Sequence, residues 1–243
     1  MSTTMDGVKG MILAAGLGER LRPLTDRLPK ALVEVGGRPL IDHAIGTMAR
    51  SGISDVIINL HHLGDMIADH VGDGSGHGVR VSYSREEPLQ GSGGGILEAR
   101  HLLGQGPCVT LNADTIIDID LVELVAAHLS HDAAATLVVR KDPQMESYGI
   151  VSLCPDRRIG RFLDTAMPGC SCELDDHMFA GVQVLGPRVF DHMPAQGPFS
   201  ITRTTYPEML AAGQPLFGFP FDGPWTTVGT ADELEQARRR LDG

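Results

Sequence analysis

Leu13-Ala14-Ala15-Gly16-Leu17-Gly18-Glu19-Arg20-Leu21-Arg22-Pro23-Leu24-Thr25, continued by Leu28-Pro29-Lys30-Ala31-Leu32, decides how this chain folds. The apolar run 9–15 stops at glycines, as a buried parallel strand does when it opens into a loop. Small residues at that turn let backbone N–H groups approach an anion. Arg20, Arg22 and Lys30 follow closely enough to neutralise phosphate oxygens. No Gly-Lys-Ser/Thr follows a four-residue gap, so this is not a P-loop. Position 21 is leucine, which also excludes the dinucleotide pattern Gly-x-Gly-x-x-Gly.

Outward from this loop, strand and helix patterns alternate. Pro39 to Arg50 carries one apolar stripe (Leu40, Ile41, Ala44, Ile45, Met48) and ends at Gly52, as a helix with a glycine cap does. Val56 to Leu60 reads as a buried strand. Leu63, Met66, Ile67 and Val71 suggest a helix, and Val79 to Tyr83 a strand. Helix at 96–103, strand at 108–111, helix at 121–129 and strand at 135–139 continue the alternation. It predicts an α/β fold: a Rossmann-like, mostly parallel sheet covered by helices on both faces. Beyond it, strand-like runs at 149–153, 159–163 and 179–185 predict a smaller substrate-side sheet elaboration. Helices at 188–192 and 204–212, a strand at 216–221 and a helix at 231–241 complete the chain. The expectation is one domain over residues 1–243.

Composition narrows the partners. The 243 residues carry 20 Lys+Arg against 31 Asp+Glu, a formal net charge of −11. Such an acidic chain lacks the clustered positive charge needed to grip nucleic-acid backbones or anionic membranes. An anionic substrate must then be held by a few local cations and backbone N–H groups. No apolar run reaches the roughly 20 residues of a membrane-spanning helix. Residues 1–10 lack the features of a secretory signal, so the expected compartment is the cytoplasm. Cys108, Cys154, Cys170 and Cys172 form no evident framework. Cys170 and Cys172 are too close in sequence for an easy disulfide, and no second pair completes a zinc site, which predicts free thiols.

Further landmarks follow in order: Gly37-Arg38-Pro39-Leu40-Ile41, Pro88-Leu89-Gln90-Gly91-Ser92-Gly93-Gly94-Gly95 and Leu111-Asn112-Ala113-Asp114. Then come Tyr148-Gly149-Ile150-Val151, Phe179-Ala180-Gly181 and Trp225-Thr226-Thr227-Val228-Gly229-Thr230. Together with the opening loop, these stretches resemble the sugar-phosphate nucleotidyltransferases (nucleotide-sugar pyrophosphorylases), from Gly10 to about Arg240. The glycine triplet looks closest to N-acetylmuramate 1-phosphate uridylyltransferases, with cytidylyltransferases for phosphocholine-like acceptors further off.

The resemblance implies attack of a sugar 1-phosphate oxygen on the α-phosphate of a nucleoside triphosphate, UTP favoured, with departure of magnesium pyrophosphate. The nucleophile is already anionic, so charge neutralisation and alignment should carry catalysis. It implies that residues 9–140 bind nucleotide and 141–243 bind acceptor. Leu13, Ala14, Ala15, Gly16 and Gly18 would cradle the triphosphate. Arg20 would stabilise the leaving pyrophosphate, and Lys30 would contact the α-phosphate. Gly91, Ser92 and Gly93 would let the backbone approach the base, with Asn112 and either Glu86 or Glu87 nearby. Asp114, past a strand's carboxyl end, would bind Mg2+.

Two departures from the family pattern stand out. The second metal-binding aspartate is replaced by Thr227, for which nearby Asp222 is a candidate substitute. The acceptor lysine that follows a Phe-x run is missing from Phe162-Leu163-Asp164-Thr165-Ala166. Asp164, Gly149 and Gly181 are then the candidate acceptor residues, and Arg203 a replacement cation. These departures also motivate a rival expectation, a binding protein that has lost turnover and serves regulation. His61-His62 has no carboxylate or cysteine at ligand spacing and reads as loop. The sequence leaves no mark of oligomeric state.

Overall fold

The computed structural model describes residues 5–241. Its strands are β1 (Lys9–Leu13), β2 (Glu34–Val35), β3 (Arg38–Pro39), β4 (Asp55–Leu60), β5 (Arg80–Arg85), β6 (Cys108–Asn112) and β7 (Thr115–Ile117). The second half adds β8 (Ala135–Arg140), β9 (Ile150–Leu153), β10 (Ile159–Phe162), β11 (Thr165–Ala166), β12 (Asp175–Leu185), β13 (Leu216–Pro220) and β14 (Trp225–Thr227). The helices are α1 (Leu40–Arg50), α2 (Gly64–Val71), α3 (Gly91–Glu98) and α4 (Arg100–Leu103), then α5 (Leu121–Ser130), α6 (Met145–Tyr148), α7 (Tyr206–Ala211) and α8 (Ala231–Leu241).

One mixed sheet organises the molecule, in the order β11-β10-β9-β12-β6-β1-β4-β5, with β8 on β12 and β13 on β8. Strands β6, β1, β4 and β5 are mutually parallel, as the alternating pattern predicts. The long β12 runs antiparallel to β6, β8 and β9, and the β9–β10–β11 meander extends it. The smaller sheet elaboration expected for the second half is this meander, built into the same sheet. No described helix is long and apolar enough to cross a membrane.

Alternation along the strands sorts the core into two layers. Ile12, Val56, Ile58 and Leu111 face one layer, and Met11, Ile57 and Cys108 face the other. The stripe of α1 is wholly buried at Leu40, Ile41, Ala44, Ile45 and Met48. Each such Ile or Leu contributes roughly 1.5–3 kcal/mol of burial. Helix α5 starts where Asp120 accepts from the Val122 and Glu123 N–H groups, a side-chain cap.

Two local features depart from expectation. The glycine run is the first turn of α3 rather than a loop ahead of a helix at 96–103, and it is followed by the separate short α4. Cys154 and Cys172 form a disulfide, while Cys108 and Cys170 are free. Sequence spacing missed that pairing because the β9–β10 turn folds Cys154 back beneath the segment that follows β11.

Candidate active site

The carboxyl ends of β1 and β6 lie side by side, with Leu13 in register with Asn112. The loop after β1 therefore faces the turn after β6, and the Ala113 N–H donates to the Leu13 carbonyl (3.1 Å). The Ala14 N–H donates to Asn59 Oδ1 (2.7 Å). Asn59 Nδ2 donates in turn to Glu86 Oε1 (2.6 Å), whose other oxygen accepts from the Gln90 N–H (2.7 Å). Gly18 adopts φ 66, and a Cβ there would lie 2.8 Å from Thr25 Cγ2. Thr25 is buried and donates its hydroxyl to the Gly18 carbonyl (2.8 Å). These bonds fix both ends of the 14–18 backbone.

Two cavities meet at this point. One, about 460 Å3, is lined by Leu13, Ala14, Gly16, Gly18, Arg20 and Lys30 together with Leu89, Asn112, Asp114 and Gly229. The other, about 360 Å3, is walled by Tyr148, Gly149, Leu163, Phe179, Gly181, Arg203 and Trp225. Leu13, Arg20, Asn112 and Asp114 line both. Lys30 Nζ donates to Asp114 Oδ2 (2.5 Å), a half-buried ion pair at the junction.

Strand β14 pairs with β7 and sets Thr227 opposite Thr115. Thr227 Oγ1 donates to the Asp114 carbonyl (3.4 Å), and so does the Val228 N–H (3.0 Å). Thr227 thus stands beside Asp114, where it supplies a hydroxyl. The other Asp114 oxygen, Oδ1, meets the Thr115 hydroxyl only at 3.5 Å. One weakly engaged carboxylate oxygen bordering a cavity of this size suits magnesium, which takes one or two protein carboxylates and completes its shell with phosphates and water.

Several expected residues lie elsewhere. Asp222 is exposed and lines a separate cavity with Lys141, Leu153 and His177, so it does not join Asp114. Asp164 is exposed beyond Leu163, whose positive φ (51) turns the chain so that Leu163 lines the second cavity instead. Glu86 is 1% exposed with both oxygens bonded inside the chain. Burial raises its pKa, against the lowering effect of the Gln90 N–H and Asn59. Both of its carboxylate oxygens are thus engaged within the chain, beneath the loop that follows β1. Exposed Glu87 lines neither cavity.

A Cβ on Gly93 would fall 2.2 Å from the Phe199 ring, and one on Gly91 2.7 Å from the Phe199 carbonyl oxygen. Those glycines admit the 199–201 segment, while Ser92 lines the second cavity. Ala15 is buried behind the loop. Both histidines are structural. The His61 ring donates to the Glu86 carbonyl (2.9 Å), and the His62 ring to that of Thr25 (3.0 Å).

The aromatic wall escaped the sequence reading. Trp225 Nε1 donates to the Ala180 carbonyl (3.0 Å), Arg140 stacks over its ring at 4.9 Å, and Tyr148 meets it edge-on at 6.3 Å. The Tyr148 hydroxyl donates to Glu233 (2.8 Å). Burial, then that carboxylate, push its pKa up to about 12. Glu233 also caps the start of α8 by accepting from the Gly229 and Thr230 N–H groups (2.5 and 2.9 Å). The Thr230-x-x-Glu233 capping box was a legible signal for that contact.

The Nucleotidyl transferase family model matches residues 9–242. An N-acetylmuramate alpha-1-phosphate uridylyltransferase of Neisseria meningitidis serogroup B is 34% identical over 95% of this chain and 97% of its own. A mannose-1-phosphate guanyltransferase of Aspergillus fumigatus is 34% identical over 91% of this chain but only 61% of its own length. Among solved structures, a candidate glucose-1-phosphate thymidylyltransferase of Bacillus anthracis, in complex with a sucrose, superposes with a TM-score of 0.80. It is 24% identical, with 96% of this chain and 95% of the other covered, so it shows the fold alone.

Proposed function

Since the chain belongs to the nucleotidyl transferase family, we propose that it joins UTP to a sugar 1-phosphate, releasing pyrophosphate, with N-acetylmuramate 1-phosphate the favoured acceptor. The observation that carries this reading is the pair of cavities meeting at Leu13, Arg20, Asn112 and Asp114. Transfer between two phosphorylated reactants needs two pockets whose phosphate ends share one charged junction. We assign the nucleotide to the cavity of residues 13–30 and the acceptor to the cavity of residues 146–203 and 225. Residues 9–140 then serve mainly the donor and 141–243 the acceptor, with Gly229 and Ser92 crossing over.

Each step can be given to residues of this chain. The acceptor phosphate oxygen attacks the α-phosphorus as the bond to pyrophosphate breaks, and no protein nucleophile or base is required. The 14–18 backbone holds the triphosphate in a preset path. Arg20 faces both cavities and neutralises charge growing on the departing pyrophosphate. Lys30, which pairs with Asp114 in this structure, turns its ammonium to the α-phosphate. Preset charge of this kind accounts for a large part of such catalysis, roughly 2.7–4 kcal/mol for a single donor. Magnesium, held by Asp114, supplies neutralisation of the triphosphate when bound. Gly149 and Gly181 let the acceptor approach closely, and exposed Arg203 takes the phosphate role of the missing lysine. A cytoplasmic setting and a place in cell-wall sugar supply accord with this chemistry.

The test is pyrophosphate release from UTP, CTP, GTP and dTTP with magnesium, against N-acetylmuramate 1-phosphate, other sugar 1-phosphates and phosphocholine. Turnover with UTP and N-acetylmuramate 1-phosphate, absent in Asp114→Ala, is the expected result. Turnover with another pair would correct the substrates. Nucleotide binding without turnover on any acceptor would replace the enzyme by a binding protein.

A further inference from the structure

Three of the four cysteines converge outside the cleft. Cys154 directly follows β9, and Cys170 and Cys172 sit in the segment between β11 and β12. Their sulfurs all lie within 4.8 Å of one another. We propose that Cys154, Cys170 and Cys172, when reduced, form a zinc site.

The spacing carries the first part of the case. Sulfurs bound about 2.3 Å from a tetrahedral zinc lie about 3.8 Å apart. Cys170 Sγ is 3.7 Å from Cys154 Sγ and 3.4 Å from Cys172 Sγ. Cys154 and Cys172 are joined here as a disulfide, so that bond and the metal exclude each other. A dithiol reductant delivers two electrons and two protons to the Cys154–Cys172 bond and becomes a disulfide itself. Zinc then replaces the three thiol protons.

The backbone around the sulfurs is set for the same arrangement. The Met167 N–H donates to the Gly160 carbonyl (2.8 Å), which lays the 167–172 segment across β10. A Cβ on Gly160 would lie 3.0 Å from both Cys154 Sγ and Cys170 Sγ and 2.5 Å from Leu174 Cδ2, so glycine keeps the sulfur pocket open. A cavity of about 350 Å3, bordered by Asp156 and Met167, opens onto all three cysteines. It gives an ion a way in and leaves room for water as a fourth ligand, while Asp156 is paired with Arg158 (2.7 Å). Thiolates favour a soft ion such as zinc over magnesium, so this site would not compete for the metal of the cleft. Its position suits a brace, because Gly149, Val151, Phe162 and Leu163, around the other end of the β9–β10 hairpin, line the acceptor-side cavity.

The full chain, reduced with a phosphine and stripped of metal, should be titrated with cobalt(II) and zinc and compared with its oxidised form. The expected result is one ion per reduced chain, a thiolate-to-cobalt charge-transfer band displaced by zinc, and no uptake by the oxidised chain. Cys170→Ser leaves the disulfide intact and should weaken uptake by roughly a hundredfold or more, while Cys108→Ser changes nothing. Reduced chain that gives no thiolate band, or a band that survives Cys170→Ser, would overturn the site. The readout needs no catalytic turnover, so failure of the substrate assignment leaves it untouched.

Discussion

Around residues 13–30 the chain ties its own backbone into place, through Asn59 and Glu86 beneath Ala14 and through Thr25 beneath Gly18. Around residues 146–203 the cavity is walled by Tyr148, Leu163, Phe179, Arg203 and Trp225. A phosphate chain is the same in every nucleoside triphosphate, and fixed N–H groups with a few cations suffice to hold it. Acceptors differ in shape and hydroxyl pattern, and exchangeable side chains can follow them. Departures from the family pattern fall mainly on the second wall, the one proposed to select the acceptor.

The sharpest way to break this contrast is at the junction that belongs to both walls. Asp114→Ala should lower kcat by about a thousandfold or more with either substrate varied, without unfolding the half-buried site, as steady-state pyrophosphate release would record.

Next in size is a change that should leave the contrast alone. His128 is 4% exposed, its ring bonded to the Thr136 hydroxyl (3.1 Å), and burial lowers its pKa from 6.5 to about 4. The unfolded chain takes up this proton below pH 6.5 while the native chain resists it until about pH 4. The stabilisation is therefore complete above pH 6.5 and lost as pH falls through that window, on the order of 3 kcal/mol in all. Urea unfolding of the wild type and His128→Gln from pH 7 to 4 should show that share of the slope vanish in the variant.

Glu86→Ala probes the donor wall from beneath. It strands the Asn59 amide and the Gln90 N–H without a carboxylate, which should cost roughly 2–3 kcal/mol of stability and raise the KM for nucleotide more than that for acceptor. Equal effects on the two constants would show that the walls are not separately supported. The smallest effect sharpens the other wall. Arg203→Ala should raise the acceptor KM by about tenfold and leave the nucleotide KM within about twofold, in paired initial-rate series.

The sequence made the donor wall readable because its devices are local. A strand end, a small-residue turn, Arg20, Lys30 and Asp114 occur in short stretches whose chemistry follows from residue type. The parallel strands were readable from the same alternation. The acceptor wall depends on pairings between distant segments. Nothing near Asp222 tells that β14 presents Thr227 to Thr115 while Asp222 points elsewhere. Leu163 replaces Asp164 in the cavity through one positive φ, which carries little sequence signature. The missing side chains of the glycine triplet accommodate Phe199 and Glu86, contacts with partners that residue type alone does not reveal. The Cys154–Cys172 pairing likewise depends on a hairpin path that spacing does not reveal.

The central claim is that the two cavities hold the two ends of one nucleotide sugar. The most direct measurement is a crystal structure with UDP-N-acetylmuramate and magnesium. The diphosphate is expected at the junction of Arg20, Asn112 and Asp114, the uridine on the side of Ala14 and Leu89, and the sugar against Gly149, Gly181 and Arg203. Uridine and sugar lodged in one cavity, or a diphosphate out of reach of Asp114, would contradict it.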